Sequence, residues 1–383
     1  MTIVDHTIAG YPDFELGLSP QRAVPYRIYQ PERGSNGLVV YLPGFGADLG
    51  GYTQAFCEKV AGRHGCAALS IEYFCMRSRP QVGAKVTFEP EDRRQLEAHL
   101  PLKIARYGTD EQVLKAVCAL KPDAPLTLTA SLTPPDGSYQ NFGIMAALDI
   151  VAAINDALTR YPINRDNIIL VGASYGGYLA QLVNKLRPGL VRALFDNSSW
   201  AEPNLTYVFG REIGACEYSA GANERVTLAM SVNSPWRKTA GHPHYFGPSE
   251  FLIRGFSRSQ LEQMVSQGAN QTFCLMVHSA EDRNIAPLAA KVEMAQTMLE
   301  LGWPVEMLIY DASDIDGSYI KNTDHGMGLS MFTFFERGCE MLHTIARPFK
   351  YAAAEHVIYH AGKYRYEFDY RHGDIRARRC LLD

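Results

Sequence analysis

Short apolar runs alternate along most of this chain with longer stretches in which apolar residues return every three or four positions. Pro25–Tyr29 and Gly37–Leu42 are rich in Val, Ile, Tyr and Leu and read as strands, the second feeding the turn Pro43-Gly44-Phe45-Gly46. Tyr52–Arg63 has helical spacing, Cys66–Phe74 is an apolar strand, Phe142–Arg160 is a long amphipathic helix, and Asn167–Gly172 is another buried strand. Past Ser174 the pattern predicts a helix to about Leu186, strands at Leu190–Phe195, Thr272–His278 and Val305–Tyr310 with a helix over 287–301 between the last two, and a helix at Gly328–Ala346. Strands that alternate with helices imply a parallel sheet with crossover helices. No internal repeat, heptad run or low-complexity block interrupts this order.

Two segments break the rhythm. Met76–Gln140 carries two predicted helices and many prolines, and Trp200–Phe256 is polar, aromatic and glycine-bearing. Insertions in an α/β enzyme lie over the carboxyl ends of the strands, so both are expected to be lid material. The expected organisation is a core over 1–199 with a helical insertion at 76–140, a lid or cap at 200–265, the rest of the core at 266–348 and an extension at 349–383. In that extension Tyr364, Tyr366, Phe368 and Tyr370 alternate with Arg365, Glu367, Asp369 and Arg371, a strand of period two. Paired with His356–Tyr359 across Ala361-Gly362-Lys363, it predicts a β-hairpin with one aromatic face. Packing of that face on the domain is the first expectation, and a homodimer through the hairpin is the alternative.

Composition narrows the class. With 383 residues, 46% hydrophobic and 20% charged, the chain has material for one large α/β domain with insertions. A net charge of −4 lacks the basic excess that nucleic acid would select, so no nucleic-acid partner is expected. Met1–Asp13 has no basic segment followed by an apolar one, and no apolar run reaches the roughly 20 residues of a membrane span; the expectation is a cytoplasmic protein. The eight cysteines are scattered without a Cys-x-x-Cys pair, which indicates neither a zinc site nor a disulfide framework.

The strongest chemical signal is Ile168-Ile169-Leu170-Val171-Gly172-Ala173-Ser174-Tyr175-Gly176-Gly177-Tyr178, a buried strand running through Gly-x-Ser-x-Gly into a helix. A nucleophilic serine must protrude from a tight strand-to-helix turn, and glycines on both sides remove the Cβ atoms that would clash there. The bland alternative is a glycine-rich turn whose serine caps the helix.

With this motif the chain resembles the α/β-hydrolase superfamily, most closely the prolyl oligopeptidase-type serine hydrolases, over roughly residues 37 to 75 and 145 to 345. The resemblance implies an α/β-hydrolase fold: a mostly parallel central sheet with flanking helices, here with lid insertions and the C-terminal hairpin. It implies an acid in a segment of the form His-Gly-x-x-Asp-x-x-Val-Pro. Here His278-Ser279-Ala280-Glu281-Asp282-Arg283-Asn284-Ile285-Ala286-Pro287 puts Asp282 on that position, with Ser279 in place of glycine and the proline displaced by one residue. It implies a histidine in the loop after the last core strand, where Asp324-His325-Gly326 stands. Ser174, Asp282 and His325 follow the chain order of nucleophile, acid and base in this fold. The competitors are Asp196, Asp311, Asp314 and Asp316 for the acid, with Glu281 beside Asp282, and His278, His242 and His244 among the histidines.

The expected chemistry is an acyl-enzyme on Ser174, with His325 as base, Asp282 orienting it, and an oxyanion hole from the backbone N–H of Tyr175 and of Phe45, with Gly46 second. His-Glu-x-x-His, Gly-x-x-x-x-Gly-Lys-Ser/Thr and a dinucleotide Gly-x-Gly-x-x-Gly are absent, and this chemistry needs no cofactor. The leading expectation is an esterase or deacylase acting on a small-molecule or glycan acyl ester. An O-acyltransferase using the same acyl-enzyme, a peptidase of prolyl oligopeptidase type and a non-catalytic scaffold are the alternatives.

Overall fold

The computed structural model describes residues 1–18, 22–345, 348–371 and 374–382. They divide into two compact units, one of Met1–Met76, Gly143–Pro203 and Phe246–Asp383, the other of Arg77–Phe142 and Asn204–Tyr245.

The first unit is built on an eight-stranded sheet in the spatial order Thr2–Ala9, Ala23–Gln30, Ala67–Ile71, Leu38–Leu42, Ile168–Ala173, Ala193–Asn197, Phe273–Ser279, Val305–Tyr310. Counted along the chain this order is 1-2-4-3-5-6-7-8. The first two strands run antiparallel to their neighbours and the remaining six are parallel. This is an α/β-hydrolase fold. Leu38–Leu42, Ala67–Ile71, Ala193–Asn197 and Phe273–Ser279 are buried at every position, because a parallel sheet is covered on both faces and takes continuous apolar runs. The helix Ile144–Arg160 buries twelve of its seventeen residues, and Tyr175–Leu186 is buried throughout. On the other side the helices Gly51–His64 and Met331–Thr344 meet through Phe56, which stacks on Tyr41 at 4.4 Å and meets Phe332 and Phe335 edge-on at 6.2 and 5.9 Å. Each such side chain contributes about 1.5–3 kcal/mol when fully buried.

The edge strand Thr2–Ala9 lies outside the sequence reading, which set no strand before Pro25. Its burial alternates between exposed and half-buried positions, so it lacks the apolar run that marks the inner strands.

The predicted hairpin forms from His356–Ala361 and Tyr364–Asp369, and a third antiparallel strand, Arg376–Leu381, extends it into a sheet. The arginines of that strand hid it from a hydrophobic pattern. Arg378 stands opposite Glu367 in register, and its Nε donates to the Glu367 carboxylate at 2.6 Å. The aromatic face is covered within the unit. Phe14 meets Tyr366 and Phe368 edge-on at 6.4 and 6.0 Å, and the Tyr359 and Tyr370 hydroxyls donate to the Lys185 and Leu186 carbonyls at 2.7 and 2.8 Å.

The second unit has its own four-stranded sheet, in the order Lys85–Thr87, Leu126–Thr133, Val226–Val232, Tyr218–Gly221. Leu126–Thr133 comes from one inserted segment and Val226–Val232 from the other, and they pair in parallel, so two insertions read as separate form one folded piece. The first segment holds two strands and the short helices Pro90–Leu96, Leu102–Tyr107 and Asp110–Cys118 where two helices were predicted. The second segment, set at 200–265 from the sequence, contributes only 204–245 to this unit. Trp200, Phe246 and Phe256 are buried in the first unit instead, where Arg254 forms a buried ion pair with Glu15, its Nη1 3.0 Å from Oε1. Among the described residues no helix is long and apolar enough to cross a membrane.

If the aromatic face is held by the chain's own Phe14, Phe368→Ala lowers unfolding stability by about 3–5 kcal/mol, with a urea midpoint independent of protein concentration. A midpoint that rises with concentration would show that a second copy covers the face.

Candidate active site

The strand Ile168–Ala173 ends at Ser174, whose φ of +54° and ψ of −120° lie outside the regions open to most L-residues, and the helix starts at Tyr175. Such a conformation costs about 1–3 kcal/mol and persists only where the surroundings dictate it. Here they do. A Cβ on Gly176 would lie 1.7 Å from the Leu42 carbonyl oxygen, and one on Gly172 would lie 2.4 Å from the Gly176 backbone, so the strand, elbow and helix close on one another only because both positions lack a side chain. The Ser174 N–H donates to the Asn197 carbonyl at 2.7 Å, and its own carbonyl accepts from Gly177 and Tyr178 N–H at 3.0 and 3.2 Å.

The loop after Leu38–Leu42 runs alongside. A Cβ on Gly44 would sit 3.3 Å from Ser174 Cβ, the Tyr73 hydroxyl donates to the Pro43 carbonyl at 2.5 Å, and the Phe45 ring stacks on Tyr175 at 3.9 Å. The Gly46 N–H donates to the Met76 carbonyl at 3.1 Å.

Residues from three strand ends meet at the carboxyl edge of the sheet. His325 Nε2 lies 2.8 Å from Ser174 Oγ, and its Nδ1 lies 2.6 Å from Asp282 Oδ2. The other Asp282 oxygen accepts from the Ile285 and Ala286 N–H at 3.3 and 3.2 Å. An ionised carboxylate only accepts, so Nδ1 carries the ring proton and Nε2 offers its lone pair to the serine hydroxyl. Burial pushes the Asp282 pKa up, but the His325 hydrogen bond and charge, the Ala286 N–H and His278 outweigh it and hold the carboxyl below its ordinary range.

The loop that carries His325 is tied down at both ends. Ser279 Oγ donates to the Thr323 carbonyl at 2.6 Å and Thr323 Oγ1 donates to Glu281 at 2.6 Å, while the Gly326 carbonyl accepts from Asn197 Nδ2 at 3.3 Å. Ser279 and Glu281, which the sequence reading left without a role, therefore hold the histidine loop. Trp200 is a second residue that reading placed elsewhere. Its ring lies 6.1 Å from that of His325 and its indole N–H donates to the Ile285 carbonyl; an aromatic residue just past a strand end gives no sequence signal separating it from lid material.

The competing residues are engaged otherwise. Asp196 is fully buried and accepts from Lys291 Nζ at 2.6 Å and Ser199 Oγ at 2.7 Å. His278 donates from Nε2 to the Ala286 carbonyl at 2.8 Å, and burial pushes its pKa down. Asp311 and Asp316 accept from the N–H groups of Ser313 and Tyr319, both at 2.7 Å, and Asp314 accepts from the Asp311 N–H at 2.8 Å, so all three close local turns. His242 and His244 belong to the second unit. Among the described residues no group of three or more His, Cys, Asp or Glu side chains is placed to hold a metal ion.

The model of a family described as "Protein of unknown function (DUF2920)" matches residues 4–377. The chain belongs to the DUF2920 family. No curated protein matches this DUF2920 chain. Among solved structures it is similar to an acylaminoacyl peptidase from Pyrococcus horikoshii (14% identity, TM-score 0.47, covering 92% of this chain and 43% of that one). It is also similar to a thermostable esterase (15%, TM-score 0.42, 88% and 62%) and to a lipase/esterase from Lactobacillus plantarum (11%, TM-score 0.41, 90% and 100%). The DUF2920 chain thus spans less than half the length of the peptidase.

The elbow geometry predicts opposite outcomes for two glycines. Gly176→Ala destabilises the protein by about 4 kcal/mol or more, because backbone must move. Gly62→Ala, at an exposed helical position where a Cβ meets nothing within 4 Å, stabilises it by about 0.5–1 kcal/mol. Urea unfolding of both variants is the measurement; equal effects would mean that the elbow is not sterically closed.

Proposed function

We propose that this protein is a serine hydrolase that cleaves carboxylic esters through an acyl-enzyme on Ser174. The observation that carries the reading is the directed hydrogen-bond chain in which His325 joins Ser174 Oγ at 2.8 Å to Asp282 at 2.6 Å. A neutral serine is a weak nucleophile, and a base on its hydroxyl, oriented by a buried carboxylate, is what activates it.

In the proposed cycle Ser174 Oγ attacks the acyl carbon while His325 Nε2 takes its proton, and the resulting imidazolium is stabilised by Asp282. The negative oxygen of the tetrahedral intermediate is received by the backbone N–H groups of Tyr175 and Phe45. Phe45 is preferred to Gly46 because the Gly46 N–H already donates to the Met76 carbonyl. The alcohol leaves with the proton from His325, and a water activated by the same nitrogen releases the acid. Esters are the proposed class because an alkoxide is expelled more easily than an amine and asks less of the site beyond these groups.

Hydrolysis of p-nitrophenyl acetate tests this. Ser174→Ala abolishes it, and Asp282→Asn lowers kcat by roughly 10⁴-fold, the size seen when a protease triad acid is neutralised. Asp196→Asn leaves turnover of the folded fraction near wild type, because Asp196 faces Lys291. Because Asp282 is held ionised below the usual carboxylate range, its protonation contributes to the acid-side loss of kcat/KM only below that range. Wild-type turnover in Ser174→Ala, or a large loss in Asp196→Asn with none in Asp282→Asn, would refute the assignment.

A further inference from the structure

Arg187 follows the helix Tyr175–Leu186 that begins at the serine elbow, so it lies about 18 Å away, at 1.5 Å per residue, toward the opposite edge of the sheet. It is 8% exposed. Three other buried arginines of this chain each face a carboxylate: Arg22 with Asp149 at 2.6 Å, Arg79 with Glu217 at 2.7 Å and Arg254 with Glu15 at 2.5 Å. Arg187 has no such partner among the described residues. Among the described residues its guanidinium makes no hydrogen bond or ion pair, its Nε is closed off from solvent and unsatisfied, and its neighbour is the Tyr370 ring, 4.1 Å below the guanidinium carbon. A cation over an aromatic face gains about 1–2 kcal/mol. That leaves the buried Nε–H without the acceptor that buried polar groups otherwise find.

The guanidinium lines a cavity of about 650 Å³ that lies wholly within the first unit, a size that suits a small molecule. Two hydrogen bonds tie parts of its lining to the fold: the Tyr370 hydroxyl donates to the Leu186 carbonyl at 2.8 Å and the Tyr351 N–H donates to Asp166 at 2.8 Å. A second cation, Arg165, lies at the exposed side with its guanidinium 5.8 Å from the Tyr351 ring, and it too forms no ion pair among the described residues. The carboxylates nearby form no ion pair with either arginine among the described residues, although the charge of Glu355 acts on Arg187. Asp156 is held by Arg160 at 2.7 Å and by the Tyr26 hydroxyl at 2.5 Å, and Asp374, exposed at the rim, pairs with neither arginine. Burial pushes the Arg187 pKa down, countered by Tyr370, Tyr351 and Glu355, and an arginine stays charged through such a shift.

We propose that this cavity binds a small organic oxyanion, a carboxylate or phosphate monoester whose acidic group pairs with Arg187 and whose apolar body lies against Tyr351. The planar fork of donors suits a two-oxygen acceptor, and the half-buried Tyr351 ring suits a flat apolar group. The site is separate from Ser174 and does not depend on the hydrolase reading.

Calorimetric titration of the full-length Ser174→Ala protein with phenyl phosphate and with benzoate tests it in the absence of turnover. At least one probe binds at a single saturable site, with affinity reduced at least tenfold in Arg187→Gln and a few-fold in Arg165→Gln. Arg165 is exposed, so its variant keeps the test decisive if Arg187→Gln fails to fold. Absence of saturable binding by both probes, or unchanged affinity in the folded arginine variants, would overturn the proposal.

Discussion

The closed elbow at Ser174 is the constraint on which the rest of the site depends. A serine at φ +54° is placed there by a strand and a helix that approach so closely that neither Gly172 nor Gly176 has room for a Cβ. The strain costs about 1–3 kcal/mol, and it is held by a buried sheet and by a helix whose every residue is buried. Because the elbow fixes the backbone of the serine, the groups that meet its hydroxyl can be carried on loops. The loop at Pro43–Gly46 is fixed by Tyr73, the one at Thr323–Gly326 by Ser279, Glu281 and Asn197.

Charge placement follows the same logic. Two buried aspartates end neighbouring strands, and their partners separate their roles. Lys291 takes Asp196 into an ion pair within the fold, whereas Asp282 receives two backbone N–H groups and the imidazole of His325. Burial alone would raise a carboxyl pKa, and the partners of Asp282 reverse that. A carboxylate that remains ionised fixes which imidazole nitrogen carries the proton, and the other nitrogen is then the one facing serine.

Much of the core was legible because a parallel sheet writes its strands as uninterrupted apolar runs: Val305–Tyr310 lies where the pattern put it, and Leu38–Leu42 and Phe273–Ser279 fall within a residue of it. Thr2–Ala9 and Arg376–Leu381 escaped, since edge strands are half-solvated and the second is held by a Glu367–Arg378 pair that no hydrophobic count registers. Joining two distant insertions into one sheet through Leu126–Thr133 and Val226–Val232 is a long-range pairing with no local signature. The positions of Ser174, Asp282 and His325 were readable from motif and chain order, whereas Ser279 read as a departure from a pattern and proves to hold the histidine loop. Trp200 was invisible as a neighbour of His325 for the same reason, because contact across strand ends leaves no periodicity in sequence.

The central claim is that the elbow presents a hydroxyl activated by His325. Labelling of the folded protein with a fluorophosphonate, followed by peptide mapping, tests it most directly, because the reagent requires an activated nucleophile but no particular substrate. The account predicts stoichiometric modification at Ser174 alone, at a rate that falls steeply in Asp282→Asn. A folded protein that leaves Ser174 unmodified, or is labelled at another residue, would contradict it.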